Sequence, residues 1–349
     1  MPFDLALDFD DVLLVPQRSP VKSRNDVCLA TQITPTIKLD FPVISINMDC
    51  VTGVDMALAM SRYGSTSFFP RFNPVKQQVK DIKKVLSQNQ HTIPAIGIKA
   101  TEWDRLKLLV DLGIQTITID VAHAHQDTCL DFIKKIKKEY KHLEIIAGVI
   151  ATRQGAVDLY KAGACTVRVG LGPGSICTTR VVTGHGMPQI TAILEAVKAT
   201  KEFGGYLLAD GGTQNSGDIV KALAAGADAV VVGSQLAGTD EAPGKIHIIK
   251  GKKYKSYNGS TSRVEKNKQL KQNSKDKNSK YTSYIEGIEA FVPYKGPVTN
   301  VLNQMNASLR SGFSYSGALN IKQLHKNAQF IRVTSNIVKR NQDRGVKIV

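Results

Sequence analysis

TITIDVAHAHQDTCLDFIKKIKKEYKHLEIIAGVI, residues 116–150, sets two β-branched apolar runs on either side of an amphipathic stretch. The outer runs, TITIDVAH (116–123) and EIIAGVI (144–150), are apolar at nearly every position, as in strands buried on both faces. Between them LDFIKKIKKEY carries apolar residues on one helical face and lysines on the other. Strand, helix and strand at this spacing form the repeating unit of a parallel sheet covered by helices.

The same pattern extends in both directions. PVISINM (42–48), STSFFPR (65–71) and TIPAIGIK (92–99) precede it, and TVRVGLG (166–172), YLLADGG (206–212) and AVVVGSQ (229–235) follow. Amphipathic spacers such as VKQQVKDIKKVL, AVDLYKAG and ITAILEAVKATKEF separate them, and Gly163 and Gly226 stand just past helices, where a left-handed terminating residue is expected. Eight such units predict an α/β fold, a closed (β/α)8 TIM barrel. An open dinucleotide-binding sheet would need a Gly-rich turn after its first strand, and none lies between Asn47 and Gly53. VTNVLNQMNASLRSG and NIKQLHKNA read as closing helices. The expected organisation is one catalytic domain over 1–349, with 240–299 a long, polar, mobile flap inserted after strand eight and no regulatory domain.

Of the 349 residues, 42% are hydrophobic and 22% charged, which fits a globular chain with a large core. No stretch approaches the roughly 18 apolar residues of a membrane span. The N-terminal MPFDLALDFDDVLL is acidic, unlike a secretory signal. Five widely spaced cysteines suit neither a disulfide framework nor a zinc ribbon, so a reducing, cytoplasmic setting is expected. The net charge of +16 is unevenly spread: between Lys245 and Lys280 twelve Lys or Arg face only Glu265 and Asp276. Such a run is a solvated loop or a lid that steers an anionic, phosphorylated substrate. Nucleic acid is disfavoured as a partner, because neither stacking aromatics nor a reading helix accompanies the lysines.

Barrel sites form at the C-terminal strand ends. After strand six comes Gly170-Leu171-Gly172-Pro173-Gly174-Ser175-Ile176-Cys177-Thr178-Thr179-Arg180, whose glycines let backbone groups face a ligand. Ser175 offers a hydroxyl to a phosphate, and Cys177 near Arg180 sits in a setting that makes a thiol nucleophilic. A plain glycine turn with a buried cysteine is the alternative, and the adjoining S-x-C-T-T argues against it. Asp210 ends strand seven in position to hold a ribose diol, and Gly212, Gly233 and Ser234 at the neighbouring tips suit a phosphate. Its plainer reading is a turn or cap residue. His123 and His125 form a pair with no third ligand at metal spacing, so contacts to a cofactor or to its supporting residues are expected.

GLGPGSICTTRVVTGHGMPQ resembles the signature loop of the IMP dehydrogenase/GMP reductase family. FDDVLLVP, NMD (47–49), ADGG (209–212), GSQLAGTDEAPG, GKKYKSYNG and EGIEAFVPYKGP are also similar to family segments, so the resemblance runs over nearly the whole chain. It implies a homotetramer that moves hydride between purine C2 and a nicotinamide, with monovalent-cation sites. Carried over by position, it implies that Cys177 forms the covalent adduct and that Thr179 serves proton transfer. Ser175, Gly212, Gly233, Ser234 and Tyr257 would hold the phosphate, Asp210 the ribose, and Glu286 the substrate. Asp120, Gly170 and Gly172 would face the cofactor, NAD or NADP. Carbonyls of Gly170, Gly172 and Cys177 would bind potassium.

The segments divide between the two activities. RVVTG, KYKSY and EGIEAFVPYKGP look like bacterial IMP dehydrogenase, whereas NMD and the absence of the small regulatory domains are reductase-like. The flap reads NSKDKNSKYTSY where SKDRYF would be expected, which puts Lys277 and Asn278 in place of the water-activating Arg-Tyr pair, with Lys280-Tyr281 nearby. Val149 stands for a common Asn and Ser260 for a common Met. The expectation is an IMP dehydrogenase that converts IMP to XMP with NAD. A GMP reductase using NADPH is the alternative, and a purine-nucleotide-binding protein without turnover a third.

Overall fold

The computed structural model describes residues 4–263, 265–267 and 285–334. All eight expected strands form: β1 Val43–Ser45, β2 Thr66–Phe69, β3 Ile93–Ile96, β4 Thr116–Asp120, β5 Glu144–Ile150, β6 Thr166–Val169, β7 Tyr206–Asp210 and β8 Ala229–Val232. Each pairs in parallel with the next, and β8 returns to β1 to close the barrel. The helices following β1 to β7 are α1 Val54–Arg62, α2 Val75–Leu86, α3 Glu102–Asp111, α4 Asp127–Glu139, α5 Arg153–Ala162, α6 Gln189–Phe203 and α7 Ser216–Ala224. After β8 the chain makes a short turn, Ser234–Ala237, and α8 Val298–Tyr315 closes the ring. Gly163 ends α5 at φ 113° and Gly226 follows α7 at φ 115°, as their positions after helices suggest.

Burial on both faces explains the continuous apolar runs. Ile44, Phe68, Ile146, Leu208 and Val231 fill the barrel interior, while Val43, Phe69, Ile145, Leu207 and Val230 pack outward under the helices. A short hairpin, Thr31–Gln32 with Lys38–Leu39, brings Ile33 and Leu39 into the interior cluster. Thr166 Oγ1 donates to Ile33 O at 2.6 Å, which pins this plug to β6. Val12–Leu14 pairs with Phe330–Arg332 and ties the ends of the domain together.

The polar 240–299 segment holds an antiparallel sheet: β9 Ile246–Ile249, β10 Lys252–Asn258 and β11 Glu289–Pro293. Its period-two pattern is masked by charge, because on β10 Lys252 and Lys253 are exposed while Lys255 and Tyr257 are buried. Lys277, Asn278, Lys280 and Tyr281 lie outside the described residues. Among the described residues no helix is long and apolar enough to cross a membrane.

Candidate active site

The C-terminal strand ends open onto a cavity of about 290 Å³, within reach of the usual range for small-ligand sites. Cys177, Thr179, Ser175, Asp210, Gly212, Gly233, Ser234, Tyr257, Glu286, Asp120, Gly170 and Gly172 all line it. Twelve residues spread from 120 to 286 in sequence are thus brought to one wall-to-wall site.

The nucleophile loop leaves β6 at Gly170, whose φ of 154° is closed to ordinary side chains. A Cβ there would lie 2.0 Å from the Asp210 carbonyl oxygen, so the loop can cross the tip of β7 only with glycine. The loop turns back through Cys177 N to Gly174 O at 3.0 Å. It is then strapped to the chain after β10 by Thr178 N to Glu286 O at 3.0 Å and Ile288 N to Ile176 O at 3.1 Å. These bonds bring Cys177 Sγ to 3.1 Å from Thr179 Oγ1. The same hydroxyl donates to Glu286 Oε2 at 2.7 Å, so its oxygen is free to accept from the thiol. A proton path therefore runs from Sγ through Oγ1 to a carboxylate.

Arg180 does not face the thiol, contrary to the reading from its nearness in sequence. Its guanidinium reaches Met187 O at 2.8 Å and Asp8 Oδ2 at 3.4 Å. The short helical turn Thr179–Thr183 carries it to the far side of the loop, where it threads past Gly172 and Gly186.

Also in the cavity lining, Tyr257 Oη meets the Ser175 hydroxyl and the backbone of Ser234. Burial pushes the Tyr257 phenol well up, so it stays a neutral donor. Gly233 leaves room for it, since a Cβ there would come within 2.8 Å of Oη.

Arg168, Asp210, Asp120 and Arg71 add to the cavity lining an ion network that sequence reasoning missed. Arg168, in the middle of β6 and 3% exposed, donates from Nε to Asp210 Oδ2 at 2.7 Å. Its other nitrogens reach Thr118 Oγ1 at 3.1 Å and Asn47 Oδ1 at 3.0 Å. Asp120 Oδ1 lies 3.9 Å from Arg168, and Asp120 Oδ2 takes Arg71 Nε at 3.0 Å. Burial pushes the Asp210 carboxyl up, and Arg168 pulls it back. Asp210 Oδ1 receives no donor from the described residues and faces the cavity. The signal was present in the sequence: an arginine inside the apolar run TVRVGLG must be paired if that run is a buried strand.

Of the histidine pair, His125 Nε2 is 2.9 Å from Asp158 Oδ2, and burial with His125 and His185 nearby holds His123 below its ordinary value. Among the described residues no group of three His, Cys, Asp or Glu could hold a metal. Val149 and Ser260 both line the cavity.

A family model for the IMP dehydrogenase / GMP reductase domain matches residues 6–342. The chain is 35% identical to inosine-5′-monophosphate dehydrogenase of Borreliella burgdorferi, an alignment that covers 98% of this chain and 97% of that one. It is 32% identical to the Bacillus subtilis enzyme of the same name, over 98% and 96%. Among solved structures, GMP reductase from Trypanosoma brucei, a cysteine-to-alanine variant in complex with guanosine 5′-monophosphate, superposes with a TM-score of 0.91. It is 26% identical, and the match covers 99% of both chains.

Proposed function

Since the chain belongs to the IMP dehydrogenase and GMP reductase family, we propose that it oxidises IMP to XMP with NAD through a covalent bond from Cys177 to purine C2. The observation that carries this reading is the chain of contacts from Cys177 Sγ through Thr179 Oγ1 to Glu286 Oε2. The thiol proton passes along it as sulfur attacks the electrophilic C2. The S–C2 bond forms, hydride leaves C2 for the nicotinamide, and a thioimidate remains. Water then adds to C2 and the C–S bond breaks, which returns the thiol and releases XMP.

The rest of the cavity orients the nucleotide. Ser175 and Tyr257 hydroxyls with the amides at Gly212, Gly233 and Ser234 bind the 5′-phosphate, and Asp210 Oδ1 takes the ribose diol. Asp120, braced by Arg71, meets the nicotinamide ribose beside Gly170 and Gly172. Carbonyls of Gly170, Gly172 and Cys177 accept no backbone hydrogen bond from the described residues. Such oxygens suit potassium, which would stiffen the nucleophile loop.

The length-matched superposition on a GMP reductase favours a second reading, reduction of GMP to IMP and ammonia with NADPH. Following the reduced nicotinamide spectroscopically separates the two. IMP with NAD should produce it. Consumption of NADPH with GMP, and no product from IMP, would overturn the dehydrogenase reading.

A further inference from the structure

Lys255 is an ammonium group in an unusual place. It is 3% exposed, in the middle of β10, on an otherwise lysine-rich strand whose other lysines face solvent. Nζ donates to Thr239 O at 2.8 Å, Ala242 O at 2.5 Å and Asp240 O at 3.3 Å. Three protons thus meet three carbonyls, with no carboxylate at ion-pair distance among the described residues. The nearby acids are engaged elsewhere: Asp240 Oδ1 accepts from Tyr294 Oη at 2.7 Å and Glu241 Oε2 from Val298 N at 2.7 Å. Asp240 and Glu241 favour the Lys255 charge from beyond ion-pair distance, and the three carbonyls are the groups that hold the ammonium in place.

Its carbonyl partners follow the Ser234–Ala237 turn, whose first residue borders the phosphate end of the cavity. Tyr257 stands two positions along β10 from Lys255 and so on the same face of the sheet. Tyr257 reaches the backbone of Ser234 at the start of that turn, while Lys255 binds the chain that leaves its end. The two side chains clamp one strand across one turn. A one-residue slip of β10 would replace both by half-buried residues of its opposite face.

We propose that Lys255 is the positioning residue of the phosphate subsite: its carbonyl-bound ammonium fixes β10 so that Tyr257 Oη lies against Ser175 and Ser234. This deepens the nucleotide reading above and rests on it. Loss of Lys255 therefore weakens recognition of the 5′-phosphate and leaves recognition of the nucleoside largely alone.

The test compares IMP with inosine, and GMP with guanosine, as protectors of Cys177 against iodoacetamide, in wild type, Lys255→Ala and Lys255→Met. The readout needs no turnover. The expected result is a preference for nucleotide over nucleoside that falls about tenfold or more in both variants, the effect of losing a hydrogen bond to a charged group. Propylammonium replaces the atoms missing from Lys255→Ala and should restore the preference, whereas 1-propanol should not. In a Tyr257→Phe background Lys255→Ala should lower the preference little further. A parallel loss for nucleotide and nucleoside, or an unchanged preference, overturns the proposal. No protection of the wild type by either nucleotide overturns the nucleotide reading itself, and the proposal falls with it.

Discussion

Asp210→Ala separates two jobs that one carboxylate performs. Asp210 Oδ2 lies 2.6 Å from an Arg168 nitrogen, and the two side chains are 6% and 3% exposed. Without the carboxylate, Thr118 Oγ1 and Asn47 Oδ1 are the close neutral acceptors left to the guanidinium among the described residues, and the next anion among them is Asp120 at 3.9 Å. Removing one partner of a buried pair costs about 3–5 kcal/mol, and these remaining acceptors place the loss near the lower end, about 3. The second job is ribose recognition by Oδ1. Its loss should weaken IMP binding by about 1–3 kcal/mol, a factor of roughly 5 to 150. The double variant Arg168→Met, Asp210→Ala separates these effects. It removes the stranded cation, so most of the folding loss should return, while ribose recognition stays lost. Urea unfolding of wild type, single and double variants measures the first effect. Calorimetric affinities for IMP and its 2′,3′-dideoxy analogue measure the second. A double variant as unstable as the single one refutes the stranded-charge argument, and retained discrimination between the two ligands in Asp210→Ala removes Asp210 from the ribose site.

Thr179→Val deletes the hydroxyl between thiol and carboxylate, and steady-state kinetics should show kcat lower by about 10²-fold or more with nucleotide affinity kept; an unchanged kcat would mean the proton leaves by another route. Gly170→Ala forces a Cβ against the Asp210 carbonyl, which should abolish turnover and weaken nucleotide binding at least about tenfold by titration; full activity would show that the loop crosses β7 elsewhere. Burial pushes the Asp228 carboxyl from 3.8 to about 7, so the folded state holds this proton more tightly than the unfolded chain. Its contribution is full below the unfolded value and is lost as pH rises toward about 7, a slope of about 1.4 kcal/mol per pH unit. Asp228→Asn should flatten that part of the urea-midpoint profile, and an unaltered profile would assign the slope to other groups.

The barrel was legible because its signal is repeated: β-branched runs such as AVVVGSQ and spacers such as ITAILEAVKATKEF agree on one period each. The plug around Ile33 and Leu39 was not, since strands of two residues carry no period. The flap sheet was hidden for a different reason. Its buried positions include a lysine, and polarity averaged over GKKYKSYNG reads as loop although alternate residues are buried. The site residues at strand tips could be found from position and chemistry together, Cys177 and Asp210 above all. What failed was nearness in sequence as a guide to contact: Arg180 is three positions from Cys177 and turns away, whereas Glu286 comes from the far side of the flap. Arg168 was overlooked because its strand fitted the pattern too well.

Oxidation of IMP by the proposed route requires Cys177 to carry the purine. Rapid acid quench of the protein mixed with IMP and NAD, followed by intact-mass and peptide mass spectrometry, measures it directly. The expected result is one purine nucleotide per subunit attached at Cys177, formed in step with reduced nicotinamide, and neither signal in Cys177→Ala. Reduced nicotinamide appearing without an adduct in the wild type, or turnover by Cys177→Ala, would contradict it.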